Sequence, residues 1–104
     1  MRDIRVVLLG DGEAVYDEVG NETIVPVRTE VYACEESVGQ NEFFRAGQSG
    51  LVPDRRLTVW SFEYGGERTV EIDGEQFAIY RTFDRQDERT ELYLTKRMGD
   101  GHGV

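Results

Sequence analysis

Apolar and polar residues alternate along most of this chain, and a period of two marks strands that bury one face. Residues 4–9 (Ile-Arg-Val-Val-Leu-Leu) predict a short first strand, which Gly10-Asp-Gly12 breaks. Alternation resumes over residues 24–36: Val25, Val27, Thr29, Val31 and Ala33 point one way, and Arg28, Glu30, Tyr32 and Cys34 the other. Pro26 suits a strand entry or an edge position. A third strand, Arg56 to Tyr64, sets Leu57 and Val59 on one face and Trp60, Phe62 and Tyr64 on the other. Gly65-Gly66 and Asp73-Gly74 are two-residue hairpin signals that bracket a short strand from Arg68 to Ile72. The next strand, Glu75 to Phe83, puts Phe77, Ile79 and Phe83 on one face and Tyr80 on the other. After the charged turn Asp84 to Arg89, a last strand, Thr90 to Met98, faces Leu92 and Leu94 inward.

Two stretches leave this pattern. Between Ser37 and Gly47 the period lengthens, Ser37 and Gln40 stand at capping-box spacing, and Phe43 and Ala46 are one helical turn apart. A short helix of about two to three turns is predicted, ended by Gly47 in the left-handed conformation, with Phe43 and Phe44 plugging the core. The other departure is Gly10 to Thr23. It is polar and acidic, carries Asp11, Glu13, Asp17, Glu18 and Glu22, and has Val15-Tyr16 and Val19 as its apolar points. It predicts a long loop after the first strand. Loops of that length are either functional or disordered.

The predicted fold is all-β: a small antiparallel barrel or sandwich of about six strands, with one short inserted helix. Residues 1–98 form one domain, and the Gly99-Asp-Gly-His-Gly-Val104 tail is flexible by composition.

Charge narrows the function classes. The chain of 104 residues carries a formal net charge of −9. Its bases are scattered, with adjacent pairs at Arg55-Arg56 and Lys96-Arg97, whereas tight phosphate binding needs clustered cations. An acidic surface suits DNA that passes without sticking, and equally suits ordinary solubility. The lone Cys34 forms no internal disulfide, which fits synthesis in a reducing cytoplasm. No apolar run reaches the length of a membrane span, and the N-terminus lacks a signal-peptide pattern.

Candidate chemistry is thin. His102, the one histidine, sits in the Gly-rich tail, and Cys34 has no His partner in sequence, so no metal site, cofactor or nucleophile is expected. Gly10-Asp-Gly12 lacks the Lys and the following helix of a phosphate loop. Glu35-Glu36 and Asp87-Glu88 nominate no acid–base pair, because such a pair needs two different environments. Trp60, Phe62, Tyr64 and Tyr80 resemble a base-stacking platform, but positive charge does not flank them. They read instead as aromatic core or subunit interface. No enzyme is expected.

Several moderate motifs nevertheless occur in order: Glu30-Val-Tyr-Ala-Cys34, Ser37-Val-Gly-Gln-Asn-Glu-Phe-Phe-Arg-Ala-Gly47 and Gly50-Leu-Val-Pro-Asp54. Trp60-Ser-Phe-Glu-Tyr64, Val70 to Phe83 and Glu91-Leu-Tyr93 continue the series. Together they resemble the head–tail joining, or head-closure (stopper), proteins of long-tailed bacteriophages, from about residue 25 to residue 98. The resemblance implies a small β-barrel that forms a homo-oligomeric ring in the neck of the virion. That ring would sit between a portal-side adaptor and the tail or tail terminator, and retain double-stranded DNA without binding it tightly. It implies no membrane and no catalysis. The loop bearing Asp11, Glu13, Asp17, Glu18 and Glu22 becomes the candidate channel element. Gln40, Glu42, Phe44 and Arg45 of the helix become candidates for ring contacts, with Glu42 and Arg45 expected on its exposed side. The alternatives are another neck ring, such as a tail terminator, or a small barrel that binds nucleic acid or a peptide.

Overall fold

The computed structural model describes residues 2–96, and the tail expected over 99–104 lies outside them. Six strands form a closed antiparallel barrel: β1 (Arg2–Tyr16), β2 (Glu22–Glu36), β3 (Arg55–Trp60), β4 (Thr69–Ile72), β5 (Glu75–Asp84) and β6 (Arg89–Lys96). Around the barrel the order is β1-β2-β3-β6-β5-β4, with β4 closing back on β1. One helix, α1 (Gln40–Gly47), lies between β2 and β3. The expected all-β barrel with a single inserted helix is what the chain forms.

The interior follows the alternation. Val6, Leu8, Val31, Ala33, Leu57, Val59, Val70, Ile72, Phe77, Leu92 and Leu94 make one buried cluster, with Ile4, Tyr64 and Ile79 packed against it. Closure spares the barrel the unpaired edges of an open sheet. Asp73 (φ 53°) and Gly74 (φ 84°) both take the left-handed conformation, so the predicted Asp-Gly hairpin turn joins β4 to β5. Gly65-Gly66 does not make a hairpin. β3 pairs with β2 and β6, so the chain crosses to β4 through a short 3-10 turn at Ser61–Glu63 and a loop. Glu67 holds that loop, accepting from the Gly65 amide through its carboxylate and from the Tyr64 hydroxyl through its carbonyl. The third strand accordingly ends at Trp60, four residues before the predicted Tyr64.

The largest correction concerns Gly10 to Thr23. It is not an irregular loop: β1 and β2 run on as a paired ribbon, with Gly12 opposite Pro26, Ala14 opposite Ile24 and Tyr16 opposite Glu22. A bulge between Leu9 and Gly12 shifts the register where the ribbon leaves the barrel. β1 pairs with β4 only over Val7 to Leu9, and β2 with β3 only over Cys34 to Glu36, so beyond Leu9 and Arg28 no third strand accompanies the ribbon. The result is an arm. It stretches the molecule to 53 × 35 × 21 Å and its radius of gyration to 15.4 Å, against about 13 Å for a compact chain of roughly 100 residues.

Local chemistry explains the arm. At its tip, Asp17 Oδ1 accepts from the amides of Val19 (3.0 Å) and Asn21 (2.8 Å), and Gly20 takes φ 89°. Asp at the start of a turn and a left-handed Gly at its end form a three-residue hairpin connection. These amides hold the Asp17 carboxyl below its ordinary value. At the base, a side chain at Gly12 would meet Ile24 Cγ2 at 2.0 Å, so any other residue there would force the neighbouring isoleucine to move. Arg28 Nη2 bonds Glu71 Oε1 at 2.7 Å and fastens the root of the arm to β4.

The helix also differs from expectation. It starts at Gln40 with Gly39 as N-cap, and no side chain caps it, so the Ser37–Gln40 box is not made. Gly47 stays right-handed, and Gly50 (φ 77°) supplies the left-handed residue. The Leu51 amide bonds the Ala46 carbonyl and the Gly50 amide the Gly47 carbonyl, each at 3.0 Å, which is a Schellman ending. Phe43 (47% exposed) and Phe44 (75%) do not plug the core. The face that α1 buries carries Glu42 and Ala46 instead.

Candidate functional site

Two surfaces stand apart from the packed barrel: the arm, and the outer face of the sheet formed by β2, β3, β6 and β5. On that face, side chains line up across the strands. One row runs Glu36, Arg56, Tyr93, Arg81, and the next runs Cys34, Thr58, Glu91, Phe83. A further row pairs Trp60 with Arg89. A bulge between Ile79 and Arg81 in β5 turns Arg81 and Phe83 outward, which is why Phe83 does not share the inner face of Phe77.

Helix α1 covers the first row. Glu42, 7% exposed, accepts from the Tyr80 hydroxyl at 2.7 Å and from Arg81 Nη2 at 2.6 Å. Arg81 lies 4.1 Å above the Tyr93 ring, and Arg56 pairs with Glu36 in the same row. Burial pushes the Glu42 carboxyl up, but the hydrogen bonds from Arg81 and Tyr80 outweigh it and hold the group below its ordinary value. Burial and the Glu42 carboxylate together raise Tyr80, which stays a protonated donor. Glu42 is therefore the seat of the helix and is not free for a neighbouring subunit. Gln40 and Phe44 are exposed on the outer side of α1 with Phe43 beside them, and Arg45, also exposed, borders the cleft between α1 and the sheet with Glu42, Arg56, Arg81 and Tyr93. Arg45 has no ion-pair partner among the described residues, although its charge acts on Glu42.

Past the helix the outer face lies open. Trp60 is 41% exposed, Phe62 79% and Phe83 52%, with the Trp60 and Phe62 rings 6.2 Å apart. Arg89 stacks on Trp60 at 4.0 Å. A cleft of about 340 Å³ is lined by Asp3, Tyr32, Cys34, Thr58, Trp60 and Arg89. Two polar atoms there are buried without a hydrogen-bond partner, Thr58 Oγ1 and Arg89 Nε. Of the aromatic set read from sequence, Trp60 and Phe62 are on this open surface, Tyr64 packs against the core and Tyr80 lies under the helix.

The arm holds all of the candidate channel residues. Asp11 is in the bulge, Glu13 faces the same way as its partner Val25, Asp17 and Glu18 form the tip, and Glu22 pairs with Tyr16. All are exposed, and none has an ion-pair partner among the described residues. By contrast Arg2, Arg5, Arg28, Arg55, Arg56, Arg81, Arg85 and Lys96 all meet carboxylates. The arm also exposes Val15, Tyr16, Val19, Ile24, Val25 and Val27, a run of apolar surface that a lone ribbon does not bury.

The Trp60–Arg89 cleft was beyond sequence reasoning, because only the β3–β6 register brings those residues together. The arm had a signal, Asp17 and Gly20 at turn spacing between the apolar pairs Val15-Tyr16 and Ile24-Val25. No protein-family model matches the chain, and no curated protein matches it in sequence. The functional reading rests on these surfaces and on the order of the motifs.

Proposed function

We propose that the chain is a structural protein of the neck of a long-tailed phage, forming a ring that joins the DNA-filled head to the tail and helps retain DNA. The observation that carries this reading is the acidic arm projecting from a closed barrel. It combines exposed apolar residues, which an assembly would cover, with carboxylates that no cation neutralises. A wall of unpaired carboxylates repels the phosphate backbone, so DNA passes it without the counterion release that would hold the strand. The ordered motifs from Glu30 to Tyr93 support the same reading, as does a helix set between the second and third strands. The open aromatic face, with Trp60, Phe62 and Phe83, serves as contact surface for a neighbouring ring component or subunit.

Imaging of intact particles whose genome encodes the chain tests this. A ring of its density between head and tail is expected. Density within the tail tube, or absence from the particle, overturns the assignment. A barrel that served instead as a nucleic-acid module would bind DNA tightly at moderate salt in a filter assay, which the neck reading excludes.

A further inference from the structure

From the arm and the Trp60–Arg89 cleft together we infer that the arm of one copy docks on the cleft of a second copy, head to tail. The inference specifies how copies join, which the ring reading requires but does not define, and either can fail without the other.

Complementarity is the first argument. Tyr16 and Glu22 are direct cross-strand partners near the tip of the arm, so their side chains share one face. Trp60 and Arg89 are direct cross-strand partners on the outer sheet. An aromatic–carboxylate pair thus matches an aromatic–guanidinium pair. Arg89 has no carboxylate within ion-pair range among the described residues, and its Nε and the Thr58 Oγ1 are each buried without a hydrogen-bond partner. Thr58 is 4% exposed and lines the cleft. A carboxylate entering the cleft would supply the Arg89 guanidinium with the ion-pair partner it lacks. Asp3 also lines the cleft. Its like charge disfavours a carboxylate on that side of the cleft and leaves the Arg89 side as the place where one can seat.

Reach is the second argument. Tyr32, at the cleft, and Glu22, near the arm tip, lie on the same strand, β2. At ~3.3 Å per residue they are roughly 33 Å apart along a paired ribbon. The arm therefore points away from its own cleft, and an arm that fills the cleft belongs to another molecule. Such a contact joins two different patches and repeats from copy to copy, closing a ring where the rotation allows. Docking through the face of Ala14, Ile24, Tyr16 and Glu22 leaves Glu13, on the opposite face, free to line a channel.

Charge reversal tests the contact. By sedimentation of the full chain over a concentration series, Glu22→Arg and Arg89→Glu are each expected to weaken self-association roughly tenfold or more. The Glu22→Arg/Arg89→Glu double variant is expected to recover most of the loss. A second readout uses the native Cys34 of the cleft. Val19→Cys, oxidised at high concentration, is expected to yield intermolecular 19–34 disulfides in preference to 19–19 links, and adding Arg89→Glu should suppress them. Single reversals without effect, a double variant no better than either single, or no 19–34 link at all would each overturn the docking. If the links fail while imaging places the chain in a neck ring, docking falls and the ring stands. If the links form but the chain is absent from the neck, the reverse holds.

Discussion

The barrel and the arm are made from the same two strands, yet they follow opposite rules. Val6 and Leu8 of β1 are wholly buried; past the bulge, Val15 and Tyr16 of that strand are exposed. In β2, Val31 and Ala33 are buried while Ile24, Val25 and Val27 are not. Apolar residues continue along both strands past the barrel rim, but what covers them stops there. A barrel that closes with six strands has no need of the arm for its own core, and the arm's apolar residues stay exposed. One hairpin thus folds into the barrel in one half and, on the proposed function, serves assembly in the other.

That comparison breaks first where the barrel is cut. Leu92→Ala empties a fully buried site in the centre of the cluster and is expected to cost about 3–5 kcal/mol in denaturant unfolding. A loss below about 1 kcal/mol would mean that the barrel interior is not the source of stability.

A smaller effect is expected at the helix seat. Glu42→Ala leaves Arg81 and Tyr80 without their acceptor and is expected to cost about 2–3 kcal/mol. The folded carboxyl lies below its unfolded value, so its contribution is complete above that unfolded value and fades as pH falls through the folded one. The wild-type chain therefore loses this increment of stability in acid below about pH 4. Glu42→Gln should flatten that part of the curve, and an unchanged acid slope would remove Glu42 from its assigned place.

Much of the barrel was legible in the sequence because burial with a period of two leaves a direct trace. Leu57, Val59, Leu92 and Leu94 fall where the alternation puts them, and Asp73-Gly74 turns as its chemistry demands. The helix was located but turned the wrong way. Phe43 and Phe44 look like core residues to any hydrophobicity rule. The sheet face beneath them, however, carries Arg56, Tyr93 and Arg81, which demand a carboxylate. That demand is a product of strand register, and register between β3, β6 and β5 is a tertiary fact. The arm was misread for a different reason. Acidic residues at Asp11, Glu13, Asp17, Glu18 and Glu22 outweighed the turn signal of Asp17 and Gly20 and hid a strand pair. The candidate channel residues do lie on one element, but that element is a built strand pair rather than the expected loop.

The central claim is that the arm does the work of assembly while the barrel folds without it. Its most direct test is to replace residues 12–26 by a two-residue Asn-Gly turn and to count DNA-filled, tailed particles in a phage complemented with the shortened chain. The purified chain should melt within a few degrees of wild type, since exposed residues far from the core contribute little to stability, while DNA-retaining particles should be lost. Normal numbers of DNA-filled particles would contradict the account.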